Sequence, residues 1–70
     1  MSAPVILWWQ TPDRRTWRAA VGVLVLTVTK MSNGQWVGTV EGPGVSKRSP
    51  GLPARLAAQR WAENRAASLA

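Results

Sequence analysis

Histidine, cysteine, tyrosine and phenylalanine are all absent from this 70-residue chain, and its acidic side chains number only three, Asp13, Glu41 and Glu63. Without cysteine no disulfide can staple so small a scaffold, and with neither cysteine nor histidine the usual metal-ligand sets are missing. General acid or base work usually calls on a histidine, or on two carboxylates whose surroundings push their pKa values apart, and these three are scattered along the sequence. Gly42-Pro43-Gly44 does not follow the phosphate-loop spacing, and no Gly-Lys-Ser/Thr occurs. The inventory therefore excludes most enzyme classes, and no cofactor and no small-molecule substrate is expected. Long apolar runs are missing too: Ala19 to Val28 is about half a membrane span, so no membrane partner is expected. Ser2 to Gln10 lacks the basic start and long apolar stretch of a signal peptide, which reads as a cytoplasmic protein.

What the chain does have is five tryptophans, seven arginines and two lysines, for a net charge of +6 and an isoelectric point near 11.9. Trp and Arg dominate the energetic centres of interfaces, and they also hold nucleic acid by stacking and phosphate contact. Such a positive field favours a nucleic acid or an acidic host protein surface as partner. Residues 1–70 make one domain, of a size that buries only about 60% of the surface its unfolded form exposes. The core has to come from the tryptophans and a Val/Leu cluster, and a homodimer is one way to enlarge it. Arg exceeds Lys, and Ala, Gly, Pro and Trp are frequent beside a single Ile. Their GC-rich codons point to a GC-rich bacterium, or to a phage or mobile element living in one.

Residues 1–16 read as a mobile arm or edge strand, since Val5 to Trp9 is a short apolar run closed by the turn formers Thr11, Pro12 and Asp13. Adjacent Trp8 and Trp9 would point to opposite faces. Residues 17–41 read as a β-hairpin. Trp17 to Met31 is rich in Val, Leu and Thr without proline and predicts one long strand, with Gly22 marking a bulge. Asn33-Gly34 is the pair that a two-residue type I′ turn demands. That turn sets Met31 opposite Trp36, Thr29 opposite Gly38 and Thr27 opposite Val40, a charge-free face that places Trp36, Val40, Val25 and Val23 in the core. Leu24, Leu26, Val28 and Val37 then form an aliphatic strip outside. Residues 42–53 hold three prolines and read as a mobile loop. Residues 54–69 are dense in helix formers, with Ala54, Ala57, Ala58, Trp61, Ala62 and Leu69 on one side and Gln59 and Glu63 opposite. The predicted fold is α+β: a small antiparallel sheet of two or three strands packed by one C-terminal helix.

Arg14, Arg15 and Arg18 flank Trp17 in a basic cluster with an interleaved aromatic, the pattern of binders that track a phosphate backbone. Lys47 and Arg48 on the Pro/Gly loop are candidates for a flexible clamp on phosphates or on an acidic surface. Arg55, Arg60 and Arg65 advance about 140° per step and fan around the helix, so they form no ridge. The strip of Leu24, Leu26, Val28 and Val37 needs a cover, which the N-terminal arm, a second copy or a partner protein could supply.

The layout of a long strand, the Asn33-Gly34 hairpin with Trp36 just after it, a loop, and an Ala-rich helix reading Ala57-Ala58-Gln59-Arg60-Trp61-Ala62-Glu63 resembles many small bacteriophage and prophage accessory proteins. It is also similar, over Trp17 to Glu63, to AP2-type three-strand-plus-helix modules, including the arm-binding domains of phage integrases. The second resemblance implies DNA reading by Arg and Trp on an exposed sheet face. In the register above that face carries mainly Leu, Val and Thr with Lys30 and Glu41, a departure from those modules. The first resemblance implies blocking of a host complex such as defence or transcription machinery. Two expectations follow: a non-enzymatic nucleic-acid binder, or an inhibitor or adaptor that docks on a host protein through its exposed sheet face.

Overall fold

A computed structural model describes residues 6–69. Five antiparallel strands follow one another in spatial order, β1 (Trp9–Gln10), β2 (Thr16–Val21), β3 (Leu24–Lys30), β4 (Trp36–Gly42) and β5 (Val45–Arg48), and one helix, α1 (Arg55–Leu69), packs on β3 and β4. The architecture is α+β as predicted, with five strands where two or three were expected. Residues 1–5, the first part of the predicted arm, lie outside the described residues. Among the described residues, no helix is long and apolar enough to cross a membrane.

Both extra strands come from two-residue turns. The segment read as one long strand folds back at Gly22-Val23, so that Val21 pairs with Leu24. Gly22 has φ +59° while Val23 keeps a negative φ, the arrangement of a type II′ hairpin with glycine in its first central place. The segment read as a loop contains β5, which Pro43-Gly44 turns back onto β4 so that Gly42 pairs with Val45. Gly44 sits at φ +71° behind a proline, as a type II turn requires. Beyond β5, Ser49 fastens the chain to β4. Its backbone N–H donates to the Gly38 carbonyl and its hydroxyl oxygen accepts from the Gly38 N–H, both at 2.8 Å. Leu52 then exchanges two backbone hydrogen bonds of 2.8 Å with Trp36, and Pro53 precedes the helix.

The central hairpin forms where Asn33-Gly34 predicts it, with a different turn. Gly34 N–H donates to the Met31 carbonyl at 3.0 Å and Met31 N–H to the Gln35 carbonyl at 2.7 Å, closing a three-residue loop over Ser32, Asn33 and Gly34. Only Gly34 takes positive φ, at 87°, whereas a type I′ turn needs it at both central residues. Asn33 instead uses its side-chain oxygen to accept from the Gln35 N–H at 3.0 Å. The pairing slips by one residue, to Leu26 with Val40 and Val28 with Gly38, and a one-residue slip exchanges the two faces of a strand. Leu24, Leu26 and Val28, expected on the outside, are therefore buried beneath α1. Val37 is buried as well, on the opposite face beside Thr29. Val40 is in the core as predicted, but Val23 is 75% exposed and Val25 lies on the solvent side.

The core joins Ala19, Leu24, Leu26, Val40, Ala62 and Ala66, with Ile6, Trp8, Val21 and Trp61 packed around them. The helix presents Ala58, Ala62 and Ala66, four residues apart, together with Gln59. Gln59 was expected on the outer side and Ala54 on the inner. With this rotation the Ala58 backbone packs directly over Gly38. Glu63 is half-buried and accepts a hydrogen bond of 2.9 Å from the Trp8 indole N–H, which ties the N-terminal segment across the helix.

Candidate nucleic-acid interface

Because α1 covers one face of the sheet, the register decides what the other face shows. Trp9 pairs with Arg18, Arg18 with Thr27, Thr27 with Thr39 and Thr39 with Arg48. One row thus crosses all five strands on the uncovered side, reading Trp, Arg, Thr, Thr, Arg. Trp9 is 52% exposed, Arg18 and Arg48 are exposed, and the two threonines are half-buried between them. The flanking rows are Ala20, Val25, Glu41 and Ser46 on one side and Thr16, Thr29 and Val37 on the other. Neighbouring strands lie about 4.8 Å apart, so the row spans about 19 Å from β1 to β5. The face expected to carry Leu and Lys30 is replaced by one whose charges are Arg18, Arg48 and Glu41. Lys30 pairs with Trp36 on the helix side.

At one end of the sheet the β1–β2 turn builds a second basic feature. Thr11 N–H donates to the Thr16 carbonyl at 2.8 Å and Arg14 N–H to the Thr11 carbonyl at 2.9 Å. Asp13 accepts from the Thr11 hydroxyl and, at 3.1 Å, from the Arg15 N–H. The Thr11 hydroxyl, then the Arg15 backbone, holds the Asp13 carboxyl below its ordinary range. These turn contacts are complete above that range and are lost as pH falls through the lowered value. Arg14 is held at φ 61°, a left-handed conformation uncommon for any residue but glycine, asparagine or aspartate. Its side chain and those of Arg15, Lys30, Met31 and Ser32 line an open recess.

A strained arginine beside other basic residues is a place where backbone strain and surface charge can be tested together. Arg14→Gly removes the left-handed strain at the cost of added chain entropy, and is expected to stabilise the fold by roughly 0.5–1 kcal/mol. That corresponds to a melting temperature about 2–8 °C higher for a domain of this size. The same variant is expected to bind polyanions more weakly, and thermal melts beside a DNA titration check both halves.

The structure separates residues that are neighbours in sequence. Trp17 faces the helix side, where the Arg55 guanidinium stacks 4.4 Å from its ring centre, so it does not interleave with Arg14, Arg15 and Arg18. Arg18 alone of those three lies in the central row, while Arg14 and Arg15 belong to the turn. Lys47 pairs with Val40 on the helix side, whereas Arg48 faces the open side. Thus the row unites Arg18 with Arg48. Trp9, Thr27 and Thr39 join them without having been singled out by sequence. The alternation of Trp8 and Trp9 was the available signal for Trp9, and it is realised: one packs on the helix and the other stands on the open face.

No protein-family model, curated protein or solved structure matches this chain. The likeness to AP2-type modules and to phage accessory proteins stands on layout, and in the first case the layout differs by two added strands. The site has to be understood from its own chemistry: two guanidinium groups and an exposed indole on the open sheet face, with a basic recess at one end.

Proposed function

We propose that this protein is a non-enzymatic nucleic-acid-binding module that uses the open face of its sheet. The observation that carries the proposal is the row Trp9, Arg18, Thr27, Thr39 and Arg48. Arginines supply phosphate contacts, threonine hydroxyls donate or accept hydrogen bonds, and an exposed indole offers a stacking surface. The net charge of +6 adds long-range attraction for a polyanion. A cytoplasmic, phage or prophage setting is part of the same proposal, supported by the size and residue usage of the chain. The competing reading, an inhibitor or adaptor that docks on a host protein through its exposed sheet face, cannot use Leu24, Leu26, Val28 and Val37, because those side chains are buried.

The test is a titration of a fluorescently labelled oligonucleotide at several salt concentrations with the wild type and the double variant Arg18→Ala, Arg48→Ala. Both arginines are exposed, so the variant is expected to melt within a few degrees of the wild type. It should bind more weakly, and the slope of log affinity against log salt should shrink by about 1.4 on a single strand, or about 1.8 on duplex DNA, for two lost phosphate contacts. Wild-type affinity and slope in the double variant would remove the sheet face from the interface.

A further inference from the structure

We infer that the occupant of the open sheet face is an unpaired nucleic-acid strand laid across the five β-strands, with a base stacked on Trp9; this rests on the nucleic-acid reading above. Width is the first reason. The major groove of B-form DNA is about 12 Å wide and the minor groove about 6 Å, whereas the row from Trp9 to Arg48 spans four inter-strand spacings, about 19 Å. A row of that width does not fit across either groove of undistorted B-form DNA, so on an unbent duplex the face rests mainly on phosphate ridges. Charge is the second reason. Phosphate-held binding grows with the number of charges neutralised, but among the described residues this face offers only Arg18 and Arg48, with Glu41 one row away. Phosphate attraction alone is too thin here, and a second source of affinity has to lie on the same face.

Trp9 supplies it. Trp9 is 52% exposed on an edge strand, where a flat base can approach without meeting a neighbouring strand among the described residues. Arg18 is its direct cross-strand partner, with Cβ atoms about 5 Å apart, so the phosphate of a stacked nucleotide falls within reach of the guanidinium. Thr27 and Thr39 continue the row with hydroxyls, and Arg48 closes it with a second phosphate contact. Every base has a π-face, so this arrangement grips a strand with little choice of sequence.

The experiment compares a labelled single strand of about 12 nucleotides, within the usual range of site sizes, with a duplex of the same length at low salt. Oligothymidylate and oligouridylate are used in parallel, binding of either supporting the inference. The single strand is expected to bind at least about tenfold more tightly than the duplex. Trp9→Ala should lose about tenfold or more on the single strand, the usual effect of removing a stacking aromatic, and Trp9→Phe should retain most of the affinity. If the alanine variant melts below the assay temperature, Trp9→Leu, apolar and without a π-face, replaces it with the same expectation. Equal or tighter binding of the duplex overturns the inference and leaves the nucleic-acid reading standing. Single-strand binding unaffected by loss of the indole also overturns it, and binding of neither form at low salt removes both.

Discussion

Leu26→Asp is expected to leave the protein unfolded at room temperature, whereas Val25→Asp, one residue away, should cost about 1–2 kcal/mol and stay folded. Leu26 is fully buried among Ala19, Leu24, Val40, Ala62 and Ala66. Truncating such a leucine costs about 2–5 kcal/mol from lost transfer and residual cavity. A carboxylate in that space has no cationic partner, and it adds several kcal/mol more unless it is protonated. The whole stability of a domain this size is about 3.5–10 kcal/mol, so the combined effect exceeds or exhausts it. Val25 points to the solvent side beside Ala20 and Glu41, where an aspartate stays hydrated and meets only one like charge. Far-UV circular dichroism and urea melts of the two variants decide the matter. A folded Leu26→Asp with an unfolded Val25→Asp would restore the register that a two-residue Asn33-Gly34 turn implies, and would put Leu24, Leu26 and Val28 back on the surface.

That register was the step at which sequence reasoning went astray. Asn33-Gly34 locates the hairpin, yet the same pair serves two loops, one with both residues at positive φ and one with only Gly34 there. β3 itself sent mixed signals, since the face of Leu24, Leu26 and Val28 is the more apolar one but ends in Lys30, whereas the face of Val25, Thr27 and Thr29 carries no charge. A signal did lie in β4, where Gly38 and Gly42 alternate with Val37, Thr39 and Glu41. Gly38 leaves room for the helix to come close and Gly42, on the same face, for the Leu24 side chain, while Glu41 belongs on the other. The turns at Gly22-Val23 and Pro43-Gly44 were also written in the chain, but composition alone made them look like a bulge and a loop. The basic row was hidden for a related reason: Trp9, Arg18 and Arg48 are distant in sequence, and only the summed pairings of four strand junctions bring them together. Runs such as Arg14-Arg15 or Lys47-Arg48 attract attention because they are adjacent, and strand alternation then divides the latter pair between the two faces.

Gly38→Ala is expected to destabilise the fold by about 3 kcal/mol, as overpacking against an unyielding neighbour does, and to lower the melting temperature by about 12–24 °C. A Cβ at Gly38 would lie 2.8 Å from the Ala58 carbonyl oxygen and 3.2 Å from the Trp61 ring. Gly38 does not have positive φ, so the requirement is for space and not for an unusual backbone conformation. The nearer obstacle is main chain, which cannot rotate away; relief comes only by lifting α1 from β3 and β4 and opening the contacts of Ala58, Ala62 and Ala66 together. Trimming Trp61 to leucine in the same variant should therefore fail to rescue it, because the carbonyl remains and apolar burial is lost. Thr39→Ala serves as the control, since the same strand position plus one faces the open side, and it should melt close to the wild type. The pair also separates scaffold from surface. Below its melting point Gly38→Ala retains Trp9, Arg18 and Arg48 on the uncovered face and is expected to bind a nucleic-acid strand with near wild-type affinity. Lost binding in a still-folded Gly38→Ala would mean that the helix face, and not the open sheet, meets the ligand.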